Sequence, residues 1–394
     1  MSAAADLPYV LRHVPGAPGS SAWWSEVSHS GTPLAEPLGD RTRLTFVFRA
    51  STATAAVLID VSGVTDHHAD VPSLMTCVDG TDIWWWQATV ATTYRGQYRF
   101  VPAATVAELH PPGPGTTDRA DAHRTWWISM IARSVADPLN PYATLRTSWD
   151  TPASPIHLPD APEQPGWTSA DRGASTHSAA TVMWNSVRLR NRRRIWTHQV
   201  GTEHADQPLV LLLDGDTWAE RMPIFDALDT ASARGLPSCL CVLVDSIDLE
   251  TRARELPCHE PFWHAIGDEL LPLIAASHDF ADDPARTVVA GQSYGGLAAV
   301  FAALRWPDRF GAAVAQSGSF WWPSLERPRP TSPVRIVQQV GRLENNTIRS
   351  SNASMHGMLV AAGHDVTYQE FEGGHELLCW RGGLIEALLL LLDR

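Results

Sequence analysis

In the second half of the chain, short apolar runs alternate with segments that have the periodicity of amphipathic helices. The helical segments include FWHAIGDELLPLIAAS (262–277) and GGLAAVFAALRW (295–306). The apolar runs are RRIWTHQV (193–200), PLVLLLDG (208–215), CLCVLVDSID (239–248), RTVVAG (286–291), GAAVAQSG (311–318), VRIVQQVG (334–341) and DVTYQEFEGG (365–374). Apolar strands separated by helices are typical of a mostly parallel sheet that is covered on both faces. We therefore predict an α/β domain here.

Residues 41–102 have a different pattern, in which short β-rich runs are separated by Gly, Asp and Ser turns. The runs are RLTFVFRA (43–50), AAVLID (55–60), DIWWWQATV (82–90) and GQYRFVPA (96–103). This spacing predicts an all-β sandwich of the immunoglobulin-like type. Proline-rich stretches follow, at 110–118 and again up to 166, and they are poorly suited to a regular ladder. We predict a β-sandwich domain at 1–150, a linker at 151–168 and an α/β domain at 169–394.

Charge and composition narrow the classes of partner. Of the 394 residues, 44% are hydrophobic, and 30 basic against 43 acidic side chains give a formal net charge of −13. This balance disfavours nucleic acid and anionic membranes as partners. The N-terminus lacks the pattern of a secretion signal, the apolar runs are too short to span a bilayer, and five cysteines in so long a chain suit a reducing compartment. We expect a cytoplasmic protein.

The pentapeptide Gly291-Gln292-Ser293-Tyr294-Gly295 is a G-x-S-x-G motif between a predicted strand and a predicted helix. In that context the serine lies on a strained strand-to-helix turn, where the glycines avoid collisions between neighbouring Cβ atoms. The turn exposes the hydroxyl group, and the helix N-terminus directs backbone N–H groups toward an oxyanion formed nearby. We predict that Ser293 is the nucleophile of an α/β-hydrolase.

A nucleophilic serine needs a base, and in this fold the chain order is Ser, acid, His. His375 follows the last predicted strand, in FEGGHELLCW, and is the candidate base. Glu344 follows the penultimate strand, in GRLENN, and is the candidate acid that would hold the imidazole tautomer. Three other carboxylates compete for the role of acid: Glu326, Glu372 and Glu376.

An oxyanion hole needs backbone donors from two places in this fold. One is the residue after the nucleophile, Tyr294, and the other is in the loop after an early strand. The sequence LDGDTW occupies that loop, after the run LVLLLDG. We predict that the N–H groups of Asp216 and Tyr294 form the hole.

Longer strings than the pentapeptide carry a resemblance to a known family. LLLDGDTWAERMP, VVAGQSYGGLAAVFAALRWPDRFG, QSGSFWWP and GGHELLCWRGGL, with WWSEVSHSGTPLAEP, YRFVP and ADPLNP nearer the N-terminus, resemble the cytoplasmic enterochelin (enterobactin) esterases over nearly the whole chain. The resemblance implies hydrolysis of the ester bonds of a catecholate trilactone siderophore, which releases iron inside the cell. It implies nucleophile, base and acid roles for Ser293, His375 and Glu344. It also implies that Arg252 and Glu255 of R-x-x-E-L, and Arg381 of WRGG, lie near the substrate.

The chemistry of such a substrate points to further candidates. A ferric tris-catecholate is a trianion with flat aromatic rims, so its site needs arginines and aromatic faces. The chain contains no lysine, and every cationic side chain apart from histidine is an arginine. Arg192 to Arg194 precede a predicted strand and are expected to be solvated. Four tryptophans near strand ends are candidate binding residues, with interior packing as the alternative: Trp218, Trp321, Trp322 and Trp380.

Other functions are compatible with the same features. One alternative is a general carboxylesterase of the feruloyl-esterase type, or an acyltransferase, and another is a siderophore-binding protein without activity. We expect no resident cofactor, since iron enters only within the substrate. We also expect no metal site, because the adjacent His67 and His68 have no third ligand at a suitable spacing. The predicted partners are the siderophore and, in a homodimer, a second copy of the chain; a monomer is the alternative.

Overall fold

A computed structural model of the protein describes residues 7–66, 68–112, 119–168, 179–323 and 332–392, without the side chains of 119–121. The chain divides into two compact units. The first comprises Met1–Pro162 and Glu372–Leu378, and the second comprises Glu163–Phe371 and Cys379–Arg394. No helix among the described residues is long and apolar enough to cross a membrane.

The first unit is built from antiparallel sheets. Its described residues form two sheets of four strands, in the orders β1-β2-β5-β4 and β3-β6-β8-β7. Phe46 of β2 contacts Tyr98 of β6, with ring centroids 4.8 Å apart, so the sheets bury aromatic side chains against each other. The strands are β1 Leu34–Leu38, β2 Arg41–Arg49, β3 Ala56–Val61, β4 Thr76–Cys77, β5 Ile83–Ala91, β6 Arg95–Ala103, β7 Leu145–Arg146 and β8 Pro152–His157. The four β-rich runs of the sequence therefore correspond to β2, β3, β5 and β6.

Strand β8 lies inside the segment that the sequence predicts to be a linker. Its residues pair with β6, from Arg95 opposite His157 to Tyr98 opposite Ser154. On its other side β8 pairs with β7 through Pro152 and Ala153 alone. A strand with little ladder on one side can accommodate prolines, because a missing N–H group there leaves no hydrogen bond unmade. Proline content alone therefore does not identify a linker at this place.

The second unit contains a sheet of eight strands among its described residues, in the order β16-β15-β14-β13-β11-β12-β10-β9. Strands β11 to β16 run parallel, whereas β10 is antiparallel to both β12 and β9. The strands are β9 Ala180–Ser186, β10 Asn191–Val200, β11 Leu209–Leu213, β12 Cys239–Val244, β13 Thr287–Gln292, β14 Ala312–Gln316, β15 Arg335–Gly341 and β16 Asp365–Phe371. The prediction of a mostly parallel α/β sheet is confirmed; β9 is an additional strand.

Helices cover this sheet because their apolar faces match its buried strands. Every residue of β11, β12, β13 and β14 is buried. Helix α8 is rich in alanine and glycine, which lets its backbone lie close to the sheet: a methyl group at Gly296 would be 3.1 Å from Gly318 Cα. The helices from α4 onward are α4 Phe225–Ser232, α5 Leu249–Glu255, α6 Glu260–Ala265, α7 Leu271–Ala275, α8 Tyr294–Arg305, α9 Asn346–Ala361 and α10 Leu377–Leu392.

The first unit has its own helices, α1 Tyr9–Arg12, α2 Ser21–Ser30 and α3 Arg119–Ala132.

Candidate active site

Ser293 lies at the junction of β13 and α8, in a strained backbone conformation. Its φ and ψ are 57° and −117°, in a region that side chains other than glycine rarely occupy. A methyl group at Gly291 would be 2.4 Å from the carbonyl carbon of Gly295, so the turn requires glycine there. The predicted elbow is therefore present, and the strain is observed rather than assumed.

The backbone around Ser293 is tied to the neighbouring strand and to its following loop. The Ser293 N–H donates to the Gln316 carbonyl at 2.9 Å, and the Ser319 N–H donates to the Ser293 carbonyl at 3.1 Å. The two hydroxyl oxygens, Ser293 Oγ and Ser319 Oγ, are 3.4 Å apart. Tyr294 begins α8, and an N–H group in the first turn of a helix has no acceptor within that helix. Ser319 was not singled out in the sequence, although it lies in QSGSFWWP.

The loop after β11 adjoins the elbow. Asp214 has a φ of 56°, and a methyl group at Gly215 would be 2.7 Å from backbone atoms of β12. A methyl group at Gly295 would be 3.4 Å from Asp214 Oδ2, which shows how closely the loop and α8 approach. Asp216 begins a helical turn, and its carboxylate pairs with Arg221 at 2.7 Å. Burial raises the pKa of Asp216, against the effect of Arg221.

Glu344 follows β15 and is held by hydrogen bonds. It is 7% exposed, and its Oε1 accepts from the Gly341 N–H at 2.9 Å and from the Ser317 hydroxyl. The indole N–H of Trp380 in turn donates to Ser317 Oγ at 2.9 Å. The predicted acid is therefore a fixed carboxylate at the carboxyl end of β15.

His375 is exposed and lies in a bend between β16 and α10. It belongs to Glu372–Leu378, the segment that groups with the first unit. Gly374 is needed in this bend because a methyl group there would be 2.5 Å from Ser62 Oγ. The pairing of His375 with Ser293 and Glu344 stays a prediction. Of the competing carboxylates, Glu376 is buried and Glu372 is half-buried, while Glu326 lies outside the described residues.

Arg252, which the resemblance places near the substrate, uses its guanidinium group within the protein. Its Nε and Nη2 donate to the two carboxylate oxygens of Asp214 at 2.6 and 2.7 Å. Nη2 also donates to the Gln292 carbonyl at 3.2 Å, and the guanidinium carbon is 5.7 Å from the centre of the Tyr294 ring. Arg252 thus connects the loop after β11 with both residues that flank Ser293.

Glu255 and Arg381 are also engaged inside the second unit. Glu255 is 3% exposed and forms an ion pair with Arg193, which is 2% exposed. Arg381 is 1% exposed, donates to Gln164 Oε1 at 2.8 Å and lies over the Trp167 ring at 4.7 Å. Their contact with a substrate stays a prediction.

The expectation for Arg192 to Arg194 was wrong in two respects. All three belong to β10 rather than preceding it, and Arg193 is buried. Its partner Glu255 is 62 residues away in the chain, so the pairing leaves no local signal in the sequence.

The four candidate tryptophans fall into two groups. Trp218 is fully buried and donates to Gln292 Oε1 at 3.0 Å, and Trp380 is 4% exposed. Trp321 is 43% exposed, and its ring centroid is 6.2 Å from that of Tyr294 and 5.9 Å from that of the half-buried Trp322. Tyr294, Trp321 and Trp322, here called the aromatic cluster, therefore present ring surface next to the nucleophile.

Among the residues that the structure describes, no group of three or more His, Cys, Asp or Glu side chains could hold a metal ion. His68 is exposed, and His67 is not among the described residues.

Known proteins match this chain over most of its length. Residues 43–167 match the family model described as "Enterochelin esterase, N-terminal", and residues 186–391 match the model described as "Putative esterase". The chain is 42% identical to an iron(III) enterobactin esterase of Dickeya dadantii, over 95% of this chain and 93% of that protein. The chain belongs to the enterochelin esterase family. Like other members of this family, it is a carboxylic ester hydrolase.

Other enterochelin esterases agree in sequence and in structure. The chain is 36% identical to an iron(III) enterobactin esterase of Escherichia coli K12, over 94% of this chain and 96% of that one. The crystal structure of a ferric enterobactin esterase from Salmonella typhimurium matches with a TM-score of 0.83 at 36% identity, covering 95% of this chain and 99% of that one. The structure of a Shigella flexneri enterobactin esterase in the presence of enterobactin matches with a TM-score of 0.82 at 34% identity and the same coverage. The second unit is thus an esterase-like α/β-hydrolase domain.

Proposed function

We propose that this protein is a serine esterase that hydrolyses the ester bonds of a ferric catecholate trilactone such as enterobactin, and so releases iron. The observation that carries the proposal is the 42% identity to an iron(III) enterobactin esterase over 95% of the chain. The strained Ser293 elbow supplies the nucleophile that this chemistry needs. A related Shigella flexneri esterase has been crystallised in the presence of enterobactin and of 2,3-dihydroxy-N-benzoyl-serine, which supports the substrate class.

The proposed reaction has two halves. In the first, His375 accepts the proton of the Ser293 hydroxyl while Oγ bonds to the ester carbonyl carbon. The N–H groups of Tyr294 and Asp216 stabilise the oxyanion. The bond from carbon to the leaving serine oxygen then breaks, and that oxygen takes the proton from the imidazolium. In the second half, His375 accepts a proton from water, hydroxide attacks the acyl carbon, and Ser293 leaves with its proton restored. Glu344 holds the imidazole in the required tautomer.

We propose that the aromatic cluster contacts the catecholate rims of the substrate. Trp321 is the exposed member, and Tyr294 directly follows the nucleophile, so a ring stacked there would lie near the ester under attack. Aromatic pairs of this kind contribute about 0.5–1.5 kcal/mol beyond the area they bury. Iron belongs to the substrate in this proposal and is not a resident cofactor.

We also propose the finer features that the sequence analysis predicts. These are an immunoglobulin-like topology for the two packed sheets of the first unit, a cytoplasmic location, and a monomeric or homodimeric state. Fractionation of cells and size-exclusion chromatography with light scattering test the last two directly.

The function is tested by following the ferric trilactone by mass spectrometry with wild-type protein and with Ser293→Ala. We expect the variant to lose at least about 10⁴-fold in kcat, because the nucleophile is absent. Quenching of tryptophan fluorescence by the ligand should persist. Ser350→Ala, on the exposed side of α9, is the matched control and should retain wild-type turnover.

An unchanged rate in Ser293→Ala would refute the assignment. Hydrolysis of a feruloyl ester without hydrolysis of the ferric trilactone would instead identify a general carboxylesterase. Failure of a fluorophosphonate to label Ser293, together with tight ligand binding, would identify a binding protein without activity.

A further inference from the structure

A row of four glutamine side chains crosses the sheet of the second unit at the position just before the nucleophile. Gln292, Gln316, Gln339 and Gln369 are register partners on β13, β14, β15 and β16. Gln292 immediately precedes Ser293 in the chain. The first three are at most 3% exposed, so their amides have to satisfy one another or nearby backbone. We call these four residues the glutamine ladder.

The hydrogen bonds of the glutamine ladder all point the same way. Gln292 Nε2 donates to Gln316 Oε1 at 3.0 Å, Gln316 Nε2 donates to Gln339 Oε1 at 2.7 Å, and Gln339 Nε2 donates to Gln369 Oε1 at 2.7 Å. The indole N–H of Trp218 donates to Gln292 Oε1 at 3.0 Å, at the donor end of the row. Aligned amides polarise one another, so such a row is stronger and stiffer than separate bonds.

Second donations from the same amides attach the ladder to α10. Gln316 Nε2 donates to the Trp380 carbonyl at 2.9 Å, and Gln339 Nε2 donates to the Gly383 carbonyl at 3.0 Å. A methyl group at Gly383 would be 2.6 Å from Gln339 Oε1 and 3.1 Å from Gln316 Nε2. Glycine at this position therefore lets α10 approach the ladder closely enough for both bonds.

The residues attached to the ladder belong to three parts of the candidate site. Trp218 lies two residues after Asp216, in the turn that would supply one oxyanion donor. Gln292 precedes Ser293 directly. The Trp380 indole donates to Ser317 Oγ, and the Ser317 hydroxyl donates to Glu344. One continuous network thus connects the oxyanion loop, the nucleophile and the candidate acid.

We propose that the glutamine ladder is a positioning device for ester hydrolysis. Its amides hold three parts at fixed distances: the oxyanion loop, the elbow, and the Trp380 and Ser317 side chains that support Glu344. The amides do not contact the substrate and affect the reaction only through these parts. This inference rests on the proposed function, in which Ser293 is the nucleophile. Because misplacement of reacting groups by about 1 Å can cost about 100-fold in rate, loss of the ladder should lower kcat rather than raise KM.

The test compares Gln316→Met with the matched control Gln207→Met. Methionine has a similar length but neither donates nor accepts as an amide does. Gln207 is also fully buried, and it exchanges hydrogen bonds with Gln199 at 2.6 and 3.0 Å just before β11, at the opposite end of the strands. We expect Gln316→Met to lower kcat about 10-fold or more with KM within about twofold. Gln207→Met should lower the thermal midpoint similarly but retain kcat per folded molecule.

Gly383→Ala is a second variant, which keeps all four glutamine side chains of the ladder. It also tests the positioning role of the ladder if Gln316→Met does not fold. Alanine favours the helix relative to glycine, yet its methyl group would displace the Gln339 amide. We expect a reduced kcat and slower acylation of Ser293 by a fluorophosphonate, with little loss of thermal stability.

The outcomes separate the ladder from the function on which it rests. A wild-type protein that is not acylated at Ser293 would contradict the proposed function itself. A different result would overturn the role of the ladder alone. In that case the wild-type protein is acylated at Ser293, but Gln316→Met and Gly383→Ala have the same kcat and the same acylation rate as Gln207→Met.

Discussion

At the scale of single residues, the carboxylate of Asp214, next to the elbow, accepts three side-chain hydrogen bonds. Burial opposes its ionisation, but the Arg252 guanidinium, together with hydrogen bonds from Arg252 and Ser246, lowers the pKa of this carboxyl. A carboxyl with a lower pKa in the folded than in the unfolded protein stabilises the fold above its unfolded pKa of about 4. That contribution disappears as the pH falls through the lower, folded pKa.

Arg252→Met should therefore cost about 3 kcal/mol in stability near neutral pH, because it leaves a buried carboxylate without its partner. The double variant Arg252→Met/Asp214→Asn should recover most of that loss. When the pH falls below about 4, the free energy of unfolding of Asp214→Asn should decrease less than that of the wild-type protein, because the variant has no carboxyl group to protonate at this position. Denaturation at several pH values measures all three.

Kinetics of the same variant distinguish positioning from substrate binding. Because Arg252 contacts Asp214, Gln292 and Tyr294, we expect Arg252→Met to lower kcat with little change in KM. A higher KM with unchanged kcat would instead support the substrate contact that the family resemblance implies.

Glu344 gives a second residue-scale prediction. Glu344→Gln keeps an oxygen that can accept from Gly341 and Ser317, but it removes the negative charge that would stabilise an imidazolium. We expect kcat to fall by about 10²- to 10⁴-fold with the fold intact. Glu372→Gln and Glu376→Gln are the comparison variants. If kcat falls little in Glu344→Gln but strongly in Glu372→Gln or Glu376→Gln, the role of the acid belongs to that other residue.

At the scale of elements, residues 317–319, which directly follow β14, are held by hydrogen bonds on both sides and lie just before the exposed Trp321. The Ser317 N–H donates to the Gln339 carbonyl at 2.7 Å, and Asn352 of α9 donates to the Gly318 carbonyl at 2.8 Å. The Ser319 N–H reaches the Ser293 carbonyl. Fixing a loop beforehand reduces the entropy lost when a ligand binds to it. Trp321 therefore follows a segment whose backbone is fixed by hydrogen bonds.

Trp321→Ala should raise KM for the ferric trilactone about 10-fold and leave kcat nearly unchanged, because the ring contributes to binding and not to bond breaking. Trp149 is a matched control, since it is 38% exposed against 43% for Trp321 and lies in the first unit. Equal KM values for Trp321→Ala and Trp149→Ala would contradict a role of the aromatic cluster in binding.

At the scale of the whole molecule, the net charge of −13 opposes the approach of a trianionic substrate. Two of the arginines singled out in the sequence, Arg252 and Arg193, each have a carboxylate partner inside the second unit, which neutralises their charge locally. Added salt screens the field of exposed charges, and at physiological ionic strength this field decays over a distance of about 8 Å.

We therefore expect the association rate of the ferric complex to increase two- to threefold or so between about 0.02 M and about 0.3 M salt. Stopped-flow quenching of tryptophan fluorescence measures the rate, and an uncharged catechol ester is the control ligand. A rate that decreases with added salt would mean that a local positive field governs the encounter.

The sequence by itself determined the elements whose signals are local. Continuous apolar runs such as LVLLL predicted the buried strands, because a strand covered on both faces has no polar alternation, and they correspond to strands from β10 to β16. G-x-S-x-G between a strand and a helix predicted the strained turn at Ser293, because only small neighbours fit there. Long matching strings identified the family, which the comparisons confirm.

Only the tertiary structure decided which polar groups are partners. The two residues of each bonded pair lie between 23 and 62 positions apart in the chain: Arg252 with Asp214, Arg193 with Glu255, and each glutamine of the ladder with the next. Nothing in a local pattern distinguishes a guanidinium or amide that binds a ligand from one that satisfies a buried neighbour. That choice depends on strand order and register, because these bring distant positions to the same edge of the sheet and remove them from water.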